Sequence, residues 1–280
     1  MIIKKNAVLL AEGKKPIVYD IYFKSSVVKK PIVIFCHGYK GFKDWGGWGL
    51  VAQAFANEGF LFLKFNFSHN GGTVEQPIDF PDLEAFSQNN FSKELDDLQR
   101  IIDFLNSEND FSSEINREQI HLIGHSRGGG IVLIKALEEN KVRKVITWAG
   151  VSDFRARFQE KSEAFQEWKK TGRTYVENGR TKQLMPHDWQ FYEYFLAHEE
   201  RLTIKRAVVS LNKPQLIVHG SEDPTVSLQE AKAMHRWNPE SVFEIVDGAD
   251  HVFGASHPWQ EKELPNDLSI VVKRSIKFLK

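Results

Sequence analysis

The chain has 280 residues, of which 41% are hydrophobic and 26% are charged, and its 37 Lys and Arg equal its 37 Asp and Glu. This composition is typical of globular domains and excludes disordered, collagen-like and coiled-coil proteins. A formal net charge of zero gives no electrostatic reason to expect nucleic acid or a membrane as a partner. Cys36 is the single cysteine, so no internal disulfide can form, and the longest apolar run near the start, residues 7–11, is too short for a signal peptide. We therefore expect a cytoplasmic protein.

Short β-rich segments alternate with segments of helical periodicity along most of the chain. The run P-I-V-I-F-C at 31–36 is typical of a strand buried on both faces, whereas residues 91–105 carry apolar side chains at steps of three and four, as an amphipathic helix does. Strands are predicted at 7–11, 17–23, 31–36, 61–67, 119–123, 144–149, 215–218 and 242–246, and helices at 48–57, 91–105, 127–139, 228–237 and 266–279. The first two strands lie close together and suggest an antiparallel pair. The alternation predicts an α/β fold with a mostly parallel sheet and helices on both faces.

Residues 152–212 interrupt this alternation and are called the insertion below. A stretch of this length is too long for a loop without structure of its own. We expect it to be a helical cap folded over one end of the sheet, which divides the chain into a core of residues 1–151 and 213–280 and a cap of residues 152–212. Its aromatic side chains are expected to form its own core and docking face, and some could line a substrate pocket. They are Phe154, Phe158, Phe165, Trp168, Tyr175, Trp189, Phe191, Tyr192, Tyr194 and Phe195.

The strongest chemical signal is G-H-S-R-G at 124–128, between a predicted strand and a predicted helix. A serine at such a sharp turn is held in a strained conformation with its hydroxyl exposed, and the flanking glycines avoid side-chain clashes in the bend. The helix that follows presents the Arg127 backbone N–H and a partial positive charge to a developing oxyanion. The pattern predicts that Ser126 is a nucleophile.

Four motifs together resemble those of serine α/β-hydrolases, in particular the esterase and dienelactone-hydrolase-like branch, which is related to the prolyl oligopeptidases. They are F-C-H-G-Y at 35–39, G-H-S-R-G-G at 124–129, H-G-S-E-D-P-T-V at 219–226 and A-D-H at 249–251. They stand in the family's order of nucleophile, acid and base. The resemblance implies a mainly parallel eight-stranded sheet with a cap and a reaction that needs no cofactor. It says little about the substrate.

Asp223 is the candidate for the acid, because it lies in the loop after the strand at 215–218, at the edge where such sheets build their sites. It would hold the catalytic imidazole in one tautomer and stabilise its charged form. The simpler alternative is that Asp223 only forms a turn before Pro224. Asp153 is a rival because some hydrolases of this fold take the acid from the preceding strand. Asp250 is a weaker rival because it adjoins the proposed base.

His251 is the candidate for the base, because it follows the strand at 242–246 through a short turn. His257 competes with it, although it lies later and precedes a proline. The other histidines are assigned to the loop of the oxyanion hole (His37), the side of the nucleophile turn away from the substrate (His125), and strand, insertion or surface positions (His121, His187, His198, His219 and His235).

The candidate oxyanion hole consists of the backbone N–H groups of Tyr39 and Arg127, since H-G-Y ends a buried strand and starts a glycine-rich loop. The alternative is that Gly38 and Gly41 only turn the chain. Residues 40–45 could form the rim of the pocket. His69 could contact substrate or brace this loop, although a loop histidine without such a role is the simpler interpretation. No metal site is expected, because the sequence has neither a cysteine cluster nor an H-E-x-x-H motif.

These residues predict a serine carboxylesterase that hydrolyses a small or aromatic ester through an acyl-enzyme. Ser126 distinguishes the chain from dienelactone hydrolase proper, which uses cysteine. One alternative is a serine peptidase or amidase similar to the prolyl oligopeptidase catalytic domain, although no β-propeller precedes the domain. The other is a binding protein of the same fold without catalysis. The expected partner is a small-molecule ester, and the oligomeric state is open.

Overall fold

The computed structural model describes residues 1–107 and 109–280, and its centre is an eight-stranded sheet. In chain order the strands of this sheet are β1 (Ile2–Leu9), β2 (Ile17–Phe23), β3 (Lys30–Cys36), β4 (Leu61–Phe65), β5 (Ile115–His125), β6 (Val142–Trp148), β9 (Gln215–Gly220) and β10 (Val242–Val246). A separate two-stranded hairpin within the insertion consists of β7 (Arg173–Glu177) and β8 (Leu184–Asp188).

Ten helices accompany these strands in the described residues. They are α1 (Trp48–Asn57), α2 (Leu83–Ser87), α3 (Phe91–Asn106), α4 (Arg127–Glu138), α5 (Glu163–Thr171), α6 (Gln190–Ala197), α7 (Glu199–Leu202), α8 (Ile204–Val209), α9 (Leu228–Trp237) and α10 (Asn266–Leu279). A short 3-10 turn spans Arg155–Arg157. Among these helices, none combines the length and the apolarity that a membrane span needs.

The strand order is β1-β2-β4-β3-β5-β6-β9-β10, and the six strands from β4 to β10 run parallel to one another. β1 and β2 pair antiparallel, and β2 pairs antiparallel with β4, as the closely spaced start of the chain suggested. The predicted α/β fold with a mainly parallel eight-stranded sheet is confirmed. Because β3, β5, β6, β9 and β10 point the same way, the loops after them meet at one edge, where such sheets place their sites.

Helices cover both faces of the sheet. The alternating side chains of β3 show this directly, because Ile32 and Ile34 belong to one apolar cluster and Val33 and Phe35 to the other. The first cluster includes side chains of α3, α4, α8 and α9, and the second includes those of α1 and α10. Two-sided burial explains the continuous apolar run of β3.

The insertion packs its aromatic side chains onto the first cluster. The ring of Phe154 stacks on Phe91 of α3 with centroids 3.8 Å apart. Next to this contact, a Cβ on Gly130 of α4 would lie 2.7 Å from Phe154 and 2.6 Å from Ile204. The close approach of α4 to the insertion therefore depends on a glycine, and the aromatic docking face predicted from composition is present. A boundary between core and cap at residues 151 and 213 stays a prediction.

Several elements differ from the prediction: β5 starts at Ile115 instead of 119, β4 ends at Phe65 instead of 67, and α2 (Leu83–Ser87) was not predicted. β1 begins at Ile2 and ends at Leu9, earlier than the predicted 7–11, because its exposed first residues, I-I-K-K-N, pair with β2 at the sheet edge without an alternating apolar pattern. The insertion contains the helices expected of it but also the β7–β8 hairpin, which was not predicted. Its first strand is largely exposed and therefore lacks the apolar run that marks a buried strand.

Candidate active site

Ser126 occupies the turn between β5 and α4 with φ 56° and ψ −121°, a backbone conformation that non-glycine residues rarely adopt. Its N–H donates to the Trp148 carbonyl oxygen at 2.9 Å, which fixes the turn against β6. A Cβ on Gly124 would lie 2.2 Å from the Gly128 carbonyl oxygen, and one on Gly128 would lie 2.4 Å from that of Cys36. The two glycines of the motif are thus sterically required, as predicted for a serine held at a tight strand-to-helix turn.

Asp223 and His251 lie together at the carboxyl edge of the sheet. Asp223 Oδ2 is 2.8 Å from His251 Nδ1 and 3.3 Å from His219 Nε2, while its Oδ1 accepts the N–H groups of Thr225 and Val226, both at 2.8 Å. Burial alone would raise the pKa of Asp223, but the hydrogen bonds from His219, His251 and Val226 hold that pKa well below its ordinary value. The carboxylate is therefore ionised and can only accept at His251 Nδ1. This leaves the proton on Nδ1 and a lone pair on Nε2.

The rival acids, Asp153 and Asp250, accept hydrogen bonds from backbone N–H groups of their own loops. Asp153 Oδ1 accepts the N–H groups of Arg155 at 2.7 Å and Ala156 at 3.3 Å. Asp250 Oδ1 accepts those of Val252 at 3.0 Å and Gly254 at 2.9 Å. His257 Nδ1 accepts the N–H of Gly46 at 2.9 Å. Within the described parts of the chain, the ion-pair contacts between carboxylates and histidines all involve Asp223. The geometry therefore favours Asp223 and His251, although their catalytic roles stay predictions.

His125 connects the nucleophile turn to His251. Its Nε2 lies 2.9 Å from the His251 carbonyl oxygen, and the two rings are 4.9 Å apart. Because a carbonyl only accepts, Nε2 of His125 carries a proton, and burial lowers the pKa of this histidine to about 3. No hydrogen bond joins Ser126 Oγ to the His251 ring among the described residues. The backbone of His251 is thus held against the residue that precedes the proposed nucleophile.

The loop after β3 passes directly over Ser126. A Cβ on Gly38 would lie 2.8 Å from Ser126 Cβ and 3.3 Å from Ser126 Oγ, so the backbone at Gly38 lies closer to the proposed nucleophile than a side chain would allow. Gly38 therefore does more than turn the chain.

His37 sets the orientation of the peptide between Gly38 and Tyr39. The N–H of Phe67 donates to His37 Nε2 at 3.3 Å, so the ring proton is on Nδ1, which donates to the Gly38 carbonyl at 2.8 Å. The N–H of Gly41 donates to the same carbonyl at 3.1 Å. Because C=O and N–H point in opposite directions in a trans peptide, the Tyr39 N–H points away from His37. This orientation is compatible with the predicted oxyanion hole.

Replacing Gly38 with Ala tests the close approach. The added methyl group collides with Ser126 Cβ, so we expect kcat/KM for an activated ester to fall about a hundredfold or more, the scale of losing one oxyanion donor. Gly179→Ala is the matched control, because a Cβ there meets nothing within 4 Å, and it should retain wild-type activity. Ester hydrolysis with circular dichroism as a check of folding measures both. A fully active Gly38→Ala enzyme would contradict the placement of this loop.

The buried histidines of the site predict how stability depends on pH. Burial lowers the pKa of His37 to about 4 and that of His125 to about 3, whereas a histidine in the unfolded chain titrates near 6.5. Between pH 6.5 and 4 the unfolded chain binds protons that these native rings do not, so the free energy of unfolding falls as the pH falls. Each ring contributes about 1.4 kcal/mol per pH unit in this range.

Urea denaturation of wild type and His125→Gln between pH 7.5 and 4.5 isolates one such ring. Below pH 6 the wild type should lose about 1 kcal/mol per pH unit more than the variant. Asp97, whose pKa burial raises to about 6, acts in the opposite direction but equally in both proteins. Equal pH dependence of the two proteins would mean that His125 is protonated in the fold.

A cavity of about 430 Å³ opens beside Ser126. Its walls come from the loop after β3, the start of α4, the loop after β9 and the insertion. Five aromatic residues of the insertion contribute, as the sequence suggested for some of them: Phe154, Phe158, Phe165, Trp168 and Phe191. An apolar cavity with a few convergent polar groups is the usual form of a small-molecule site.

His187 belongs to the insertion, as the sequence indicated, but it also reaches the proposed site, which the sequence did not indicate. It lies on β8, lines the cavity and has Nε2 2.6 Å from the Tyr39 hydroxyl. Burial, aided by the nearby charges of Arg127 and Lys40, lowers the pKa of His187 to about 3. The hairpin is thereby joined to the proposed oxyanion loop. Sequence reasoning missed this contact because it missed the hairpin.

The loop at 40–45 was predicted as the pocket rim, but none of these residues lines the cavity, and buried charges hold the loop against β2. Lys43 and Lys64 have fully buried side chains, and both contact Asp20 of β2, at 2.8 and 2.7 Å. Asp44 contacts both lysines as well. Lys43 therefore does not belong to the pocket rim.

His69 is not among the described residues that line the cavity. Its Nδ1 is 2.8 Å from Ser68 Oγ, and burial lowers its pKa to about 4. The simpler interpretation, a loop histidine, fits this position. Across the described residues, no group of three or more His, Cys, Asp and Glu is arranged to hold a metal ion.

Comparison with known proteins agrees with this architecture. A family model described as "Alpha/beta hydrolase family" matches residues 33–261. One curated relative is "Uncharacterized peptidase YtmA" of Bacillus subtilis, 24% identical over 186 residues, which cover 65% of this chain and 59% of that protein. Another is "Uncharacterized protein PA2218" of Pseudomonas aeruginosa, 31% identical over 101 residues, which cover 35% of this chain and 24% of that protein. The alignments thus span less than two thirds of either relative.

Solved structures share the fold over nearly the whole chain. Est1E from Butyrivibrio proteoclasticus has a TM-score of 0.73 and 15% identity and covers 98% of this chain and 96% of its own. The same protein with ferulic acid bound gives a TM-score of 0.72 at 16% identity, with 98% and 97% covered. A putative hydrolase from Agrobacterium vitis S4 has a TM-score of 0.75 and 16% identity and covers 100% of both chains. At such identities the similarity shows the fold.

Proposed function

Because the chain belongs to the alpha/beta hydrolase family, we propose that it is a serine carboxylesterase with Ser126 as nucleophile, His251 as general base and Asp223 as the acid that orients the base. One observation carries the proposal. Asp223 Oδ2 lies 2.8 Å from His251 Nδ1, and the backbone of that histidine is bonded to His125, the residue before Ser126. An oriented imidazole near a strained serine that lines a cavity is the arrangement that activates a hydroxyl nucleophile.

The reaction would proceed in two halves. Ser126 Oγ attacks the ester carbonyl carbon as His251 Nε2 takes its proton, and the N–H groups of Tyr39 and Arg127 hold the oxyanion. The intermediate then collapses, the carbon–oxygen bond to the alcohol breaks, and His251 returns the proton to the leaving alcohol. Water, deprotonated by His251, next attacks the acyl-enzyme and releases the acid. These steps need no cofactor.

We propose that the insertion acts as a cap that selects the substrate, because five of its aromatic side chains line the cavity beside Ser126. Flat aromatic groups fit such walls. Est1E, which shares the fold, has been solved with ferulic acid bound, and this supports aromatic esters as the class to test first.

A serine peptidase or amidase is the second candidate, because one curated relative is named a peptidase. A pair of substrates with the same acyl group, such as 4-nitrophenyl benzoate and benzoyl 4-nitroanilide, separates the two. We expect hydrolysis of the ester with kcat/KM at least a thousandfold above that of the anilide. Comparable rates would favour the peptidase, and turnover of neither substrate would contradict both.

A further inference from the structure

The guanidinium of Arg127 stands on the cavity wall next to the proposed nucleophile. It lies 4.3 Å from the ring centre of Tyr39, 5.3 Å from that of Phe91 and 5.4 Å from that of Phe191. These rings shield the charge from water on several sides, and its side chain is only 16% exposed. A charge in such surroundings interacts more strongly with a ligand than the same charge at the surface.

The charge of Arg127 is weakly neutralised by the protein. Within the described residues, its side chain makes one hydrogen bond, from Nη1 to Glu94 Oε1 at 3.4 Å, which is longer than the 2.7–2.9 Å typical of a strong charge-assisted bond. Glu94 Oε1 also accepts Asn89 Nδ2 at 2.8 Å, while its Oε2 has no partner in the described chain. Burial raises the pKa of Glu94, against the lowering effect of Arg127 and of the hydrogen bond from Asn89.

The remaining charges around the cavity have the same sign. Among the described residues that line it are two guanidinium groups, those of Arg127 and Arg157, and no Asp or Glu. Arg157 is bonded to Glu230, whose second oxygen holds the backbone and hydroxyl of Ser152. Arg127 is therefore the cation whose N–H groups remain available to a molecule in the cavity.

We propose that Arg127 binds a carboxylate of the substrate, so that the enzyme prefers esters carrying a free carboxylate near the scissile bond. This rests on the proposed function, because Arg127 N–H would hold the oxyanion while the side chain of the same residue holds the second anionic group. Two N–H groups of a guanidinium match the two oxygens of a carboxylate. The aromatic walls suit a monoester of an aromatic dicarboxylic acid or an ester of a hydroxybenzoic acid.

Matched probes separate charge from shape. Monomethyl terephthalate is compared with methyl 4-carbamoylbenzoate for a carboxylate on the acyl side, and 4-acetoxybenzoate with 4-acetoxybenzamide for one on the alcohol side. In each pair an uncharged amide replaces the carboxylate. For at least one pair we expect kcat/KM of the carboxylate to exceed that of the amide by about tenfold to a hundredfold.

Three variants locate the effect. Arg127→Gln should abolish the preference, measured as the ratio of kcat/KM between the two members of a pair, whatever its effect on the absolute rates. Arg143→Gln removes the same charge from the surface of β6 and should keep the preference. Loss of the preference in Arg157→Gln with its retention in Arg127→Gln would overturn the assignment. So would hydrolysis of both members of every pair at equal rates by the wild type.

A binding measurement makes the inference independent of catalysis. By calorimetry, Ser126→Ala protein should bind benzoate at least tenfold more tightly than benzamide, and the Ser126→Ala/Arg127→Gln double variant should bind the two alike. If no ester is hydrolysed but this difference in affinity is found, the proposed function fails and the carboxylate site stands. Equal affinities of the Ser126→Ala protein for benzoate and benzamide would contradict the carboxylate site, whatever activity the wild type shows.

Discussion

Ser126→Ala is expected to lower kcat for ester hydrolysis by about 10⁴-fold or more, the scale seen when a nucleophile of this type is removed. The free energy of unfolding should change by less than about 1 kcal/mol, because alanine adopts the same backbone conformation at the same cost and loses only a hydroxyl. Initial rates with 4-nitrophenyl acetate and urea denaturation measure the two effects. Ser210→Ala, on an exposed serine, is the control and should match wild type. More than about a tenth of wild-type rate in Ser126→Ala would show that another group attacks the ester.

Asp223→Asn should have the second largest effect, a loss of about 10⁴-fold in kcat. Asn has nearly the same shape, and its oxygen can still accept the N–H groups of Thr225 and Val226. Its NH₂ group, however, would donate to His251 Nδ1, which moves the ring proton to Nε2 and removes the lone pair that the reaction needs.

The matched variant is Asp153→Asn, which changes the rival carboxylate that only caps its own turn. It should stay within about threefold of wild type. A large loss in Asp153→Asn with little effect of Asp223→Asn would move the acid to the loop after β6 and overturn the assignment made from the geometry.

Much of the fold could be predicted because its strands and helices carry their own local signals. The apolar run of β3 and the three-four spacing of α3 reflect burial that each element experiences along its whole length. The bounds of α1 and β10 follow directly from such patterns. The turn at Ser126 could be predicted because its glycines, Gly124 and Gly128, lie within two positions of the serine whose conformation requires them.

Features that depend on contacts distant in sequence could not be predicted in this way. Lys43 is fully buried because Asp20, on a strand earlier in the chain, offers it a carboxylate, and no periodicity around residue 43 indicates this. His187 reaches Tyr39 across 148 positions, and only the fold of the hairpin brings it there. The proposed role of the Arg127 side chain likewise depends on its contacts with the rings of Phe191 and Tyr39, which the sequence does not place beside it.

Labelling with a small fluorophosphonate tests the central claim, that His251 activates Ser126 as a nucleophile, most directly. The serine oxygen displaces fluoride, so intact-mass measurement and peptide mapping show where and how often the chain reacts. The account predicts one adduct per chain, on Ser126, that is absent from Ser126→Ala and forms at least a hundredfold more slowly in His251→Ala. An adduct on another residue, or ester hydrolysis that continues at full rate after Ser126 is labelled, would contradict it.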